Sequence, residues 1–312
     1  MKTMKKLLFI FSILMLSGVS QLSAQQLAQS TFVEEAKHYW NPAATGVDEN
    51  MHTSLFFRQQ WLGFGSSAPR TGFVSFQYPF VDMNMSAGAI INFDQTGPVS
   101  KKGLQLTYAY KLKGILGEDS QLSLGINAGF QQYIFNPSGQ IFNDVDDQLL
   151  QGSSSSALYP AIGAGIYYLS STREYDENVF FVGFAFRNAF TTDVLINDNN
   201  QARERHVHFN IGTRVYQQDS YIEPSITVNY SKPDLVDIRA GLRYEMQDAF
   251  WAGLGYSTTN EVSFQGGVVL PEFGNRYGAL RIGGLGNFGI SDNLSAFGPG
   301  FEIFIGYDYK IN

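Results

Sequence analysis

The chain has 312 residues, with 21 Lys and Arg against 28 Asp and Glu, no Cys, 32 Gly, 17 Tyr, 26 Phe and only 16% charged residues. This acidic balance argues against a nucleic-acid partner, whose phosphates call for clustered Lys and Arg. Without Cys, neither disulfides nor a lipid-anchored amino terminus is expected.

From Met1 to Lys6 the chain carries three lysines, Leu7 to Leu16 is an apolar run too short to span as a helix, and Ser17 to Ala24 turns small and polar before Gln25. The pattern predicts a cleaved secretory signal over 1–24, cut after Ala24 or, since Leu22 is unusual at the third position before that cut, near Ser20. Removing Lys2, Lys5 and Lys6 leaves 18 basic against 28 acidic residues, a formal charge of −10. No later apolar segment reaches the roughly 18 residues that a membrane-crossing helix needs. A second segment, 25–50, shows no clean alternation and contains Tyr39-Trp-Asn-Pro-Ala-Ala-Thr-Gly46. Pro and Gly argue against a central strand here, while Trp and Tyr argue for docking, so an ordered periplasmic or plug-like segment in the barrel mouth is expected.

The remaining region, 51–312, alternates with a period of two, which gives a strand one apolar and one polar face. Fourteen strands are predicted: 52–61, 70–79, 84–94, 100–113, 120–135, 158–169, 178–189, 205–216, 219–230, 235–245, 248–257, 260–270, 276–286 and 299–311. The expected fold is therefore all-β, a transmembrane antiparallel barrel of about fourteen strands in the outer membrane. An even count puts both termini in the periplasm. Connections after even strands are then short, and three others, 136–157, 190–204 and 287–298, are long as outer loops should be. Leu104, Leu106, Tyr108, Tyr110 and Leu112 should face lipid, as should Phe180, Val182, Phe184 and Phe186, and Phe301, Ile303, Ile305, Tyr307, Tyr309 and Ile311. The opposite faces carry Arg58 and Gln60, Asn92 and Asp94, His206 and His208, Arg214, Glu223, Asp237, Arg239 and Arg243, which predicts a polar interior, hydrated or partly filled by chain.

Few residue groups suggest chemistry. His206-Val-His208 puts two imidazoles on one strand face, yet no third ligand is near in sequence, so lumen-facing polar filler is the favoured reading over a metal site. The acidic run 143–147 lacks the Gly and closing Glu of a calcium loop. The stretch 197–200 with 203–205 has loop composition and mixed charge, equally suited to a contact surface and to plain solvent. No Ser-His-acid arrangement, G-x-S-x-G or phosphate-binding loop is present, so neither an enzyme nor a cofactor is expected.

Asn41-Pro-Ala-Ala-Thr-Gly46, followed by Arg58-Gln-Gln-Trp-Leu-Gly-Phe64 and Ala68-Pro-Arg-Thr71, resembles the start of PorP/SprF-family proteins of the type IX secretion system, and the resemblance runs to the last strand. It implies an outer-membrane barrel working with that system in gliding and related bacteria. The implied partners are secretion components and one large secreted adhesin or other surface protein, exported or attached through its carboxyl-terminal sorting domain. Asn41, Pro42, Gly46, Arg58, Gln60, Trp61 and Gly63 are the motif residues it singles out. Parity puts Arg58 and Gln60 in the lumen and Trp61 at the lipid-side end of the first strand, an architectural reading favoured over direct partner contact. The alternative function is a passive or gated pore for small or apolar solutes, similar to fatty-acid-channel barrels.

Overall fold

A computed structural model describes residues 35–136, 154–173, 177–188, 194–196, 199–201, 205–232 and 235–311. In chain order the strands are β1 (Asn50–Gln59), β2 (Arg70–Phe80), β3 (Met85–Thr96), β4 (Val99–Lys113), β5 (Gln121–Phe135), β6 (Ser155–Leu169), β7 (Val179–Arg187), β8 (Val194–Ile196) and β9 (Asn199–Gln201). They continue as β10 (His206–Gln217), β11 (Ser220–Lys232), β12 (Leu235–Met246), β13 (Phe250–Ser257), β14 (Glu261–Pro271), β15 (Gly278–Gly289) and β16 (Gly300–Lys310). β8 and β9 pair only with each other, and the other fourteen close into one antiparallel barrel in which β1 lies between β2 and β16. Each predicted strand has its counterpart there, with ends shifted by a few residues. Among the described residues no helix is long and apolar enough to cross a membrane, so crossing falls to the strands.

Closure gives each of the fourteen barrel strands a neighbour on both sides, and the seam is the β1–β16 ladder from Asn50 opposite Lys310 to Gln59 opposite Phe301. The amino-terminal end of β1 and the carboxyl-terminal end of β16 thus lie at one end of the barrel, with the short turns between β10 and β11 and between β12 and β13. These turns are tight because Gln218 and Asp248 adopt left-handed backbone conformations, with φ near +54 for both. The carboxyl-terminal ends of β5 and β7 and the amino-terminal ends of β6 and β10 lie at the opposite end.

The outward faces follow the predicted parity. Leu104, Leu106, Tyr108 and Tyr110 are exposed while Gln105, Thr107, Ala109 and Lys111 are buried, and Phe180 and Phe186 alternate in the same way with buried Val179, Phe181, Ala185 and Arg187. The interior departs from the expectation of a polar lumen. Phe56, Phe73, Ile90, Trp251, Leu285 and Phe304 point inward and form one buried cluster with Ala36, Tyr39 and Trp40. Inward positions need polar side chains only where water reaches them. Against a length of chain running through the lumen, apolar side chains on the same face gain the usual free energy of leaving water.

Candidate functional site

The inserted residues begin with one helical turn, Lys37–Trp40, and continue into a 3-10 turn, Pro42–Ala44. Asn41 joins the two. Its Oδ1 accepts from the Ala43 amide at 2.9 Å and Pro42 opens the turn, an arrangement suited to a helix start. The same side chain ties the turn to the wall, since Nδ2 donates to the Ile166 carbonyl of β6 at 3.0 Å and, more weakly, to the Phe184 carbonyl of β7 at 3.5 Å.

Glycines on three strands make room for it. A Cβ on Gly125 would fall 2.2 Å from the Ala43 nitrogen, one on Gly165 2.1 Å from Asn41 Oδ1, and one on Gly183 2.2 Å from Asn210 Oδ1 and 3.0 Å from Asn41 Nδ2. Backbone therefore meets side-chain-free wall over a patch spanning β5, β6 and β7. Gly46 turns the chain with φ of +59, its amide donating to Gln77 Oε1 at 2.7 Å and its carbonyl accepting from the Lys111 ammonium. Gln77 Nε2 in turn meets His38 Nδ1 at 2.8 Å. Burial, aided by the charge of His52, pulls the His38 imidazole down from 6.5 to about 3, so it sits neutral against the wall.

Rings fill the level above. Tyr39 stacks on Phe73 at 4.8 Å, Phe73 on Phe56 at 4.8 Å, and Trp40 on His208 at 5.2 Å. The Arg187 guanidinium lies 4.4 Å from the Tyr39 ring centre, a cation–π contact shielded from water. Across the lumen, Glu35 Oε1 accepts from Arg243 at 2.6 Å, Arg243 also pairs with Glu245, and Arg281 reaches Glu245 at 2.9 Å. Tyr221 donates to Glu245 at 2.8 Å, and both arginines lie over the Trp251 ring, at 4.6 Å for Arg281 and 5.3 Å for Arg243. A cavity of about 180 Å³ lies beside this network, lined by Glu35, His52, Arg214, Arg281 and Asp308 among others.

The motif residues named from sequence part into three places. Asn41, Pro42 and Gly46 lie on the inner wall as described. Arg58 is buried within hydrogen-bonding range of Glu302, 3.2 Å away across the seam, with both side chains at most 1% exposed. Gln60, Trp61 and Gly63 lie beyond β1, which corrects the expectation that Trp61 ends the first strand on the lipid side. The β1–β16 ladder stops at Gln59, Trp61 turns the backbone with φ of +52, and Leu62 and Gly63 then donate to the Pro299 and Phe297 carbonyls at 3.0 and 2.9 Å. The Trp61 ring packs 5.3 Å from Phe297 and 5.9 Å from Phe64, so it joins two outer-end loops. Gln60 continues the β1–β2 pairing through its amide to the Pro69 carbonyl at 3.0 Å.

His206 and His208 do face the lumen, with partners in β11. His208 Nδ1 meets Asn229 Oδ1 at 2.8 Å and His206 Nδ1 meets the Ser231 hydroxyl. The acidic run 143–147, together with 197–198 and 203–204, lies outside the described residues. Sequence reasoning passed over Glu35, Tyr221, Glu245, Trp251 and Arg281. Inward parity with charge marks Glu245 and Arg281, but nothing local marks Glu35.

A closed barrel with apolar outward faces, an interior of charged pairs and rings, and no membrane-crossing helix among the described residues defines an outer-membrane β-barrel protein. The family model described as type IX secretion system membrane protein PorP/SprF matches residues 22–307, and the chain belongs to that family. Among solved structures, it is similar in fold to the CymD monoaromatic hydrocarbon channel at 10% identity, covering 92% of this chain and 95% of that one with a TM-score of 0.54. It is also similar to the Pseudomonas putida toluene transporter TodX at 8% identity, covering 90% of this chain and 95% of that one with a TM-score of 0.51. No curated protein matches. The protein is thus a type IX secretion system barrel of the outer membrane.

Proposed function

We propose that this barrel serves the export, the surface attachment or both of one large adhesin-like protein that carries a carboxyl-terminal sorting domain, with residues 35–49 acting as a plug. The observation that carries the reading is the match to the type IX secretion family along nearly the whole chain, 22–307. Lumen geometry supports it. Tyr39, Trp40 and Asn41–Ala44 occupy the barrel interior, so a folded client has no way through and would be met on outer loops or periplasmic turns instead. Binding there needs no catalytic group, and the role proposed is not enzymatic. Outer-membrane lipid is the partner of the outward apolar faces.

Passage of hydrocarbons, the cargo named for the two similar channels, has less support. The cavity beside Glu35 is lined with Arg, Asp, Glu and His, which disfavour an apolar solute. Deleting the gene in its host, followed by mass spectrometry of surface and periplasmic fractions, tests the proposal. Loss of one large surface protein with general secretion intact is expected. Loss of many exported proteins together would place the barrel in the core machinery, and an unchanged surface would overturn the client reading.

A further inference from the structure

The two halves of the lumen are built differently. Along β5, β6 and β7 the inward Gly125, Gly165 and Gly183 are covered by Asn41 and its neighbours. Along β11 to β14 the wall is again made of small residues, Ser225, Gly241, Gly255 and Ser263, but there they line a cavity of about 40 Å³. Gly255 and Ser263 lie two residues from the outer ends of their strands, at Ser257 and Glu261, so this cavity belongs to the outer half of the barrel. The larger cavity of about 180 Å³ reaches Asn50 and Asp308, at the periplasmic ends of β1 and β16.

Glu35 and Arg243 are the two residues that line both cavities. They hold each other at 2.6 Å, with side chains 4% and 6% exposed. Glu35 Oε2 is buried and has no hydrogen-bond partner among the described residues. A buried carboxylate oxygen left in that state is costly unless water or a cation can visit it.

We propose that the two cavities are the ends of one path for water and small hydrated ions along the β11–β14 wall, closed between them by the Glu35–Arg243 ion pair. A space of about 40 Å³ exceeds the roughly 10–15 Å³ that one water needs, so water can occupy it. Arg239 and Arg243 stand with Glu223 and Glu35 along the narrow part, beside Leu242 and Leu254, and these charged groups can replace part of an ion's hydration shell. Opening requires only that Glu35 move, because the wall itself is continuous sheet. This inference stands apart from the client-binding role and survives or fails independently of it.

The test is ion conductance of the full mature protein in a planar bilayer bathed in KCl, with heat-modifiable migration as the check of folding. Wild-type protein should pass little current, Glu35→Ala should raise it several-fold, and adding Ser225→Phe to Glu35→Ala should bring it back to the wild-type level. A folded Glu35→Ala barrel that conducts no better than wild type would overturn the path. So would a rise that Ser225→Phe leaves untouched, since current would then run along the opposite wall after loss of the inserted segment. If Glu35→Ala does not assemble, Glu35→Gln keeps the shape without the charge and carries the same expectation and the same refutation.

Discussion

Asn41 joins the inserted segment to the wall through a single side chain. Its oxygen caps a turn and its nitrogen ties that turn to two strands, so Asn41→Ala leaves a buried Ala43 amide without its acceptor, at a cost of about 1–3 kcal/mol. The expected result is a barrel that still migrates as folded but is clipped by protease within 35–49. Gly165→Val should do the same from the other side of the contact, because its Cβ would sit 2.1 Å from Asn41 Oδ1. Protection of the segment in that variant would show that the wall can yield. His38 adds a pH dependence. Its docked pKa of about 3 lies below the free value of 6.5, so above 6.5 both states are neutral and docking is unaffected. As pH falls from 6.5 toward 3 the undocked segment takes up the proton first, and docking weakens by about 1.4 kcal/mol per pH unit. Protease protection of 35–49 should therefore be lower at pH 5.5 than at 7.5, and His38→Gln should flatten that difference.

At the scale of the element, the seam between β1 and β16 is where a barrel must find its own first strand with its last. Inward pairs mark the register: Arg58 opposite Glu302, Phe56 opposite Phe304 and His52 opposite Asp308, the last joined at 2.6 Å. A slip of one residue would bring those charges to the lipid face, so the pairs work against misregistry as much as for stability. Glu302→Gln removes the carboxylate nearest the buried Arg58 charge and should lower barrel stability in urea by about 3–5 kcal/mol, while replacing both with Met and Leu should recover most of that loss. Equal stability of Glu302→Gln and wild type would mean that water reaches Arg58. The strands themselves were legible, because alternation and turn residues act over neighbouring positions. Phe56, Phe73, Trp251 and Phe304 were not, since a polar-face position looks the same whether water or another part of the chain stands opposite it.

For the whole molecule, the β5–β6 ladder is complete to Phe135 opposite Ser155 without help from the residues that follow. Replacing 137–153 with a short turn should thus leave a heat-modifiable barrel of unchanged stability, as expected for an outer loop. Under the proposed role, the same variant should lose its surface client. A barrel that failed to assemble would show that this loop is needed for closure. Trp61→Ala, by contrast, removes ring contacts to Phe64 and Phe297 worth about 0.5–1.5 kcal/mol and should loosen the outer-end loops rather than impair insertion.

Strand number, outward faces and the class of membrane protein are written in local order: a period of two, turn residues at regular intervals and apolar faces are properties of consecutive residues, readable before any folding. What fills the barrel is not. Asn41 finds Ile166 across 125 positions and Glu35 finds Arg243 across 208, encounters that exist only once fourteen strands have curved and closed. Their chemistry is plain in the chain, a capping amide, an acid and a guanidinium, but their partners depend on the diameter and register of the closed sheet, which no short stretch of sequence carries.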